Sequence, residues 1–252
     1  MDPLANDSET KREIIAHWDK KSEAINIEEM KISIIIPIGK EDENQIPYIR
    51  EMLMNQSKKP DEILIVTEGT IPEARNIGVK KARNEFVLHC DAGTIYPYDY
   101  IEKMCKGFLK SDFISARFYM YGNKYQNFFI RNNFGSTRCI GYTKELYNKV
   151  RGYREDLKWG EDSEFNDKAS QFSEMYITNA ICFWKARDNL KQLGKQFKNY
   201  AWGDKKRKKV KKLAYLFPIL LFGEWIIHSF KLLRTIWCYR MNYWKGIIGG
   251  VI

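Results

Sequence analysis

Glu85-Phe86-Val87-Leu88-His89-Cys90-Asp91-Ala92-Gly93-Thr94 carries a clear structural signal. Its apolar first part predicts a short buried strand, and the strand stops abruptly at Asp91-Ala92-Gly93. Two similar runs lie upstream: Ile32-Ser33-Ile34-Ile35-Ile36-Pro37 and Glu62-Ile63-Leu64-Ile65-Val66. β-Branched, nearly continuous apolar runs of this length are the pattern of strands buried on both faces of a parallel sheet. Helical spacing separates them. Ile49 and Leu53 mark a helix over Tyr48–Met54, and Pro72-Glu73 opens a second that runs to Ala82. Proline in the first turn with a glutamate beside it suits a helix N-terminus. The resulting β-α-β-α-β order predicts an α/β fold with a mainly parallel, doubly wound sheet, whose ligands bind beyond the carboxyl ends of the strands. Lys40 and Glu41, Thr67 and Glu68, and Asp91 stand just past the three strand ends, so that edge is the expected site. No G-x-G-x-x-G follows the first strand and no P-loop is present, so a nucleotide here needs a different grip.

The chain has 252 residues, enough for one large domain or a domain with an appendage. At 44% hydrophobic and 29% charged it can bury a sizeable core and is not a disordered sequence. The net charge of +10 invites a nucleic-acid reading. Its distribution argues against that. Residues 191–252 hold 14 Lys and Arg against two acids, whereas the first 190 residues hold 28 against 30. A near-neutral body therefore carries a basic, aromatic tail, and no base-reading motif accompanies the charge. Five singly scattered cysteines (Cys90, Cys105, Cys139, Cys182, Cys238) read as reduced thiols, not a disulfide framework or zinc site. The N-terminal stretch has no apolar h-region, so a secretory signal is not expected. Ile14, Ile15, Trp18 and Ile25 predict a short leading helix within residues 1–30.

Several side chains could carry chemistry. Asp91, followed by two small residues, would project into the crevice and bind a cation or sugar hydroxyls; a turn or capping role is the plain alternative. Glu161 and Asp162 follow Gly160, and repulsion between adjacent carboxylates can raise one pKa and make a proton acceptor. Acids at a helix N-terminus are the competing explanation. Trp159 is either core or a platform for a sugar face, and Arg75 either a phosphate partner or a solvated helix residue. His17, His89 and His228 are isolated, and no metal is assigned to them.

In combination, Lys31–Pro37, Asp61–Thr70, Glu73-Ala74-Arg75-Asn76-Ile77-Gly78-Val79 and Glu85–Thr94 resemble the nucleotide-binding half of glycosyltransferase family 2, which has the GT-A fold. Cys139-Ile140-Gly141-Tyr142, Val150-Arg151-Gly152-Tyr153 and Gly160-Glu161-Asp162-Ser163-Glu164-Phe165 resemble that family's acceptor half. Trp184-Lys185-Ala186-Arg187 and Gln196–Asp204 look like the closing segment of one of its branches, so the resemblance covers about residues 31–204. It implies an inverting glycosyltransferase that moves a sugar from a nucleotide-diphosphate sugar to a glycan or lipid-linked acceptor. It also implies nucleotide contacts at Ile38, Glu68, Arg75, Asp91 and Arg187, a catalytic base at Asp162 with Glu161 near the acceptor, and Trp159 on the acceptor side. Asp91 matches the first acid of the family's Asp-x-Asp motif and would be the ligand of Mg²⁺ or Mn²⁺, but Gly93 replaces the second acid. Arg187 and Lys185 are then the expected source of positive charge for the leaving diphosphate. A catalytically silent sugar-nucleotide or glycan-binding subunit is the alternative that Gly93 suggests.

Residues 205–252 form the expected tail. Lys205–Lys212 places seven positive charges in eight residues, ahead of the 18-residue apolar run Leu213–Phe230. That run contains Glu224 and is flanked by basic residues on both sides. Interfacial helices on an anionic cytoplasmic leaflet fit this pattern better than a spanning helix, which needs about 20 apolar residues. The other reading is a helix that packs on the body or on a second copy, giving a homo-oligomer.

Overall fold

The computed structural model describes residues 26–121, 138–185, 190–208 and 241–245. Among these residues seven strands form one sheet in the order β2-β1-β3-β6-β5-β7-β4. They are β1 (Ile32–Pro37), β2 (Glu62–Val66), β3 (Phe86–His89), β4 (Thr94–Ile95), β5 (Phe113–Tyr121), β6 (Ile140–Thr143) and β7 (Tyr176–Lys185). The helices are α1 (Ile46–Met54), α2 (Ile71–Lys81), α3 (Tyr100–Phe108), α4 (Lys144–Val150), α5 (Glu161–Ala169) and α6 (Leu190–Lys206), with a 3₁₀ turn over Lys40–Gln45.

β1 pairs in parallel with both β2 and β3, the doubly wound portion that the β-α-β-α-β pattern predicts. Beyond β3 the sheet is mixed. β6 runs antiparallel to β3 and β5, β5 is parallel to β7, and the two-residue β4 closes antiparallel on β7. The parallel description thus belongs to the first half of the sheet. The result is a mixed α/β domain built on one sheet.

Successive side chains of a strand point to opposite faces, so a run buried on both sides must feed two cores. Ile32, Ile34 and Ile36 enter one cluster with Leu53 of α1 and Met104 and Phe108 of α3. Ile35 enters the other with Val79 of α2, Leu146 of α4 and Phe165 of α5. Each such side chain contributes roughly 1.5–3 kcal/mol of burial. Helix α2 lies close on β1 because residue 78 is glycine: a Cβ there would come within 2.4 Å of Ile35 Cγ2. Its start is fixed locally, since the backbone N–H of Thr70 donates to Glu73 Oε2 at 2.6 Å and Pro72 sits in the first turn.

The leading helix falls on residues outside the description except for 26–30, which form a turn that buries Met30. At the other end α6 packs on the loop before α5. A Cβ on Gly203 would meet the Trp159 carbonyl oxygen at 2.4 Å, and Arg207 bonds Asp204 at 2.6 Å. The helical residues 241–245 return to α6, where the Tyr243 hydroxyl donates to Asp204 Oδ2 at 2.6 Å. α6 thus runs across the expected boundary at 204, and most of the expected tail, 209–240 and 246–252, lies outside the described residues. Among the described residues no helix is long and apolar enough to cross a membrane.

Candidate active site at the strand ends

Two residues at the middle of α2, Arg75 and Asn76, tie the parallel half of the sheet to the segment that follows β6. Asn76 is buried and uses its whole amide. Its Nδ2 donates to the Tyr153 carbonyl at 2.9 Å and to Glu155 Oε1 at 2.8 Å, while its Oδ1 accepts from the Tyr147 hydroxyl and the Tyr153 N–H, both at 2.9 Å. The chain can pass this close because Arg151 and Gly152, just after α4, both adopt left-handed backbone conformations, with φ of 64° and 71°.

Arg75 is only 3% exposed. Its Nη1 donates to Glu161 Oε1 at 2.5 Å, and its Nη2 reaches Asp91 Oδ1 at 3.4 Å. The guanidinium carbon sits 5.6 Å from the centre of the Tyr153 ring. Burial opposes the charge on Arg75, but Asp91 and Glu161 more than offset it, so its pKa lies above the ordinary arginine value. Asp91 stands just past β3, at the carboxyl edge, and Glu161 opens α5 behind the N-cap Gly160, whose φ is 79°.

The adjacent carboxylates of α5 are divided by this arrangement. Burial first, then the proximity of Asp162, pushes the Glu161 carboxyl up to about 7 against the pull of Arg75. Asp162 is half-buried and, among the described residues, meets the Ser163 amide at 2.7 Å and the Ser163 hydroxyl at 3.4 Å. The acid with the raised pKa is therefore the buried one held by arginine, and its neighbour is half-buried.

The other expected site residues are placed unequally. Ile38 buries its side chain in the core and donates its N–H to the Val66 carbonyl, so any ligand contact there is through the main chain. Glu68 is an exposed rim residue 4.0 Å from Lys81 Nζ. Trp159 is 38% exposed next to Gly160. Arg187 lies outside the described residues, and Lys185 is exposed at the end of β7. His89 is buried, its Nε2 2.5 Å from the Tyr142 hydroxyl; burial and then Arg75 hold its pKa well below the usual histidine range, which makes it a neutral core residue.

One residue of the cluster has no counterpart in the sequence reading. Arg138, two residues before β6, brings its Nε to 4.0 Å from Asp91 Oδ2 and lies over the rings of Trp184 and Phe118, at 4.7 and 5.2 Å. Nothing local in the sequence marks it. Its position depends on β5 and β7 pairing and on β4 closing the sheet, with Thr94 opposite Trp184.

The donor set does not fit a divalent ion held by the protein. Asp91 is a single carboxylate with a guanidinium on each side; among the described residues a Cβ on Gly93 would meet nothing within 4 Å, and no group of three metal-ligating side chains occurs. Hard cations such as Mg²⁺ are held by oxygen ligands with octahedral demands, which one shared carboxylate does not meet.

No family model matches the chain, and no curated protein matches it. Solved structures do. Staphylococcus aureus TarS aligns with a TM-score of 0.51 at 15% identity over 87% of this chain and 55% of its own, so the chain spans about half of that protein. TarS residues 1–349 in complex with UDP-GlcNAc aligns at 0.50, with 14% identity over 87% and 91% of the two chains. The mannosyltransferase PcManGT from Pyrobaculum calidifontis, in complex with GDP-Man and Mn²⁺, reaches 0.58 at 12% identity over 97% and 96%. At identities this low the structural likeness shows the fold alone, that of GT-A-like glycosyltransferases.

Proposed function

We propose that this chain is an inverting glycosyltransferase that transfers a sugar from a nucleotide-diphosphate sugar to a hydroxyl of a glycan or lipid-linked acceptor. The observation that carries the reading is the Asp91–Arg75–Glu161 bridge, which sets the Glu161-Asp162 pair beside the carboxyl edge of the parallel strands. In doubly wound sheets that edge is where ligands bind. The fold shared with solved proteins that bind UDP-GlcNAc or GDP-Man supports the donor class.

The chemistry follows from what the transfer requires. An acceptor hydroxyl has a high pKa and needs a carboxylate within hydrogen-bonding reach as the new bond forms. Asp162, half-buried and engaged by Ser163 rather than by an arginine, is that base in this reading; Glu161 holds α5 against Arg75 and so positions it. The acceptor oxygen bonds the anomeric carbon, the bond to the phosphate oxygen breaks with its electron pair, and the proton goes to Asp162. A single displacement of this kind inverts the centre. Trp159 offers an aromatic face on the acceptor side, while Ile38 (through its main chain) and Glu68 edge the nucleotide.

The test is a panel of UDP- and GDP-sugars incubated with the full chain, following release of nucleoside diphosphate with and without glycan acceptors. Wild type should turn over one donor and Asp162→Asn should not. Tight binding of a nucleotide sugar with no turnover in either protein would instead identify a silent binding subunit, the reading that Gly93 at the second acid position favours.

The basic run Lys205–Lys212 supports a place on the anionic inner face of the cell membrane, since each basic residue near such a surface is worth about 1 kcal/mol. The full chain should float with anionic liposomes at low salt and lose them at high salt. Failure to float at low salt removes the membrane assignment.

A further inference from the structure

Two arginines flank Asp91 and differ in exposure. Arg75 is 3% exposed and bridges Glu161 and Asp91, so its charge is matched inside the protein. Arg138 is 24% exposed and touches the same carboxylate from the other side at 4.0 Å. Three separate segments fix it in place. Phe118 of β5 and Trp184 of β7 lie against its guanidinium, and the buried Tyr96 hydroxyl donates to its backbone carbonyl at 2.7 Å, with the Asp91 carbonyl at 3.3 Å. The ladder of β4 on β7 holds Trp184 opposite Thr94, three residues past Asp91. This much construction around one partly exposed cation is more than a solvated surface arginine needs.

The opening lies at Gly93, two residues past Asp91. Where a second acid would complete a metal site, Gly93 carries no side chain, and among the described residues an added Cβ would meet nothing within 4 Å. Asp91 already has a guanidinium against each carboxylate oxygen, Arg75 at 3.4 Å and Arg138 at 4.0 Å, which disfavours a further cation there and favours an anion. A planar guanidinium can offer two parallel N–H donors to phosphate oxygens, which makes arginine well suited to anions of that shape. Charge accumulates on the sugar-linked phosphate as its bond to the anomeric carbon breaks, and a pre-positioned cation at that point lowers the barrier.

We infer that Arg138 binds the sugar-linked phosphate of the donor and neutralises the departing nucleoside diphosphate, in the place where a metal ion would otherwise serve. This rests on the nucleotide-sugar reading above. It also moves the expected source of positive charge from Arg187 and Lys185 to a residue beside Asp91. Arg138 supplies charge and hydrogen bonds; it gives up no proton, and the electron pair of the broken bond stays on the phosphate oxygen.

The experiment is calorimetric titration of the full chain with UDP, UMP, GDP and GMP, in EDTA and in Mn²⁺, for wild type, Arg138→Met and Arg138→Lys. Wild type should bind one diphosphate more tightly than its monophosphate in EDTA. Arg138→Met, which keeps an apolar stem against Trp184, should lose roughly 10- to 100-fold for the diphosphate and little for the monophosphate. Arg138→Lys should keep part of the difference. Equal losses for both nucleotides would mean a structural role and overturn the inference, as would diphosphate binding by wild type that disappears in EDTA. If wild type binds neither diphosphate in either buffer, the nucleotide-sugar reading itself fails and takes this inference with it. Should Arg138→Met not fold, modification of wild-type Arg138 by phenylglyoxal, read by mass spectrometry, makes the same test: protection by the diphosphate and not by the monophosphate is expected, and equal reactivity in all samples overturns it.

Discussion

The two halves of the sheet are assembled by different rules. β2, β1 and β3 are consecutive strands joined by helices, each pairing in parallel with a near neighbour in sequence. β6, β5, β7 and β4 are gathered from residues 94–185 in an order unlike that of the chain, mostly antiparallel. The first half contributes a carboxylate at a strand end, Asp91. The second contributes the groups that surround it, Arg138 and Glu161, and α2 holds the halves together through Arg75 and Asn76. The chemistry comes from both halves. A strand end sets out one acid, and the tertiary fold supplies the charges that decide what that acid does.

The largest expected effect separates catalysis from assembly. Asp162→Asn leaves Arg75 and Glu161 in place, so donor binding should persist while turnover falls by about 10²- to 10⁴-fold, the range of a lost general base. Near-normal turnover would end the assignment of Asp162. Arg75→Met attacks the joint itself. It leaves Asp91 and Glu161 partly buried without their shared counter-charge, and breaking such a pair typically costs about 3–5 kcal/mol of stability. Urea denaturation measures it. Glu161 can relieve part of the loss by taking up a proton, so the defect should be larger at pH 8 than at pH 5. A change under about 1 kcal/mol at both pH values would show that the two halves do not depend on this bridge.

The smallest effect sharpens the role of Glu161. Its carboxyl titrates near 7 in the folded protein against an ordinary value of 4.5. The folded state therefore holds more protons between those values, and stability falls as pH rises through that window. The contribution is fully present below about 4.5 and lost above about 7. Glu161→Gln should flatten the decline in Tm between pH 5 and 8, by about 2–4 °C for each kcal/mol of linkage. An unchanged slope would place the titration elsewhere.

Much of the first half was legible from residue order. The apolar runs at 32–37 and 62–66 are strands as read, and Pro72 and Glu73 open α2 at the expected turn. Asp91, Arg75 and Glu161 were each marked by neighbouring residues, though each also had an ordinary structural explanation. What resolved them was contact across 86 residues between Arg75 and Glu161. The adjacent acids illustrate the limit. Repulsion between Glu161 and Asp162 predicts that one pKa rises, but burial selects Glu161, and burial is a property of how α5 packs on Phe113 and Tyr142. Arg138 had no local signal at all, because its significance comes from Phe118, Trp184 and Asp91, which three different strands and turns bring to it.

By itself the sequence determined the parallel strands, the capped helix between them, the acid at their carboxyl edge and the division of charge between body and tail. These follow from periodicity and turn chemistry acting over a few residues. The folded sheet alone selects Glu161 over Asp162 as the partner of Arg75, and brings Arg138 to the other side of Asp91. Ion pairs and stacked rings act over a few ångströms, and only the folded sheet brings residues so far apart in the chain to that distance.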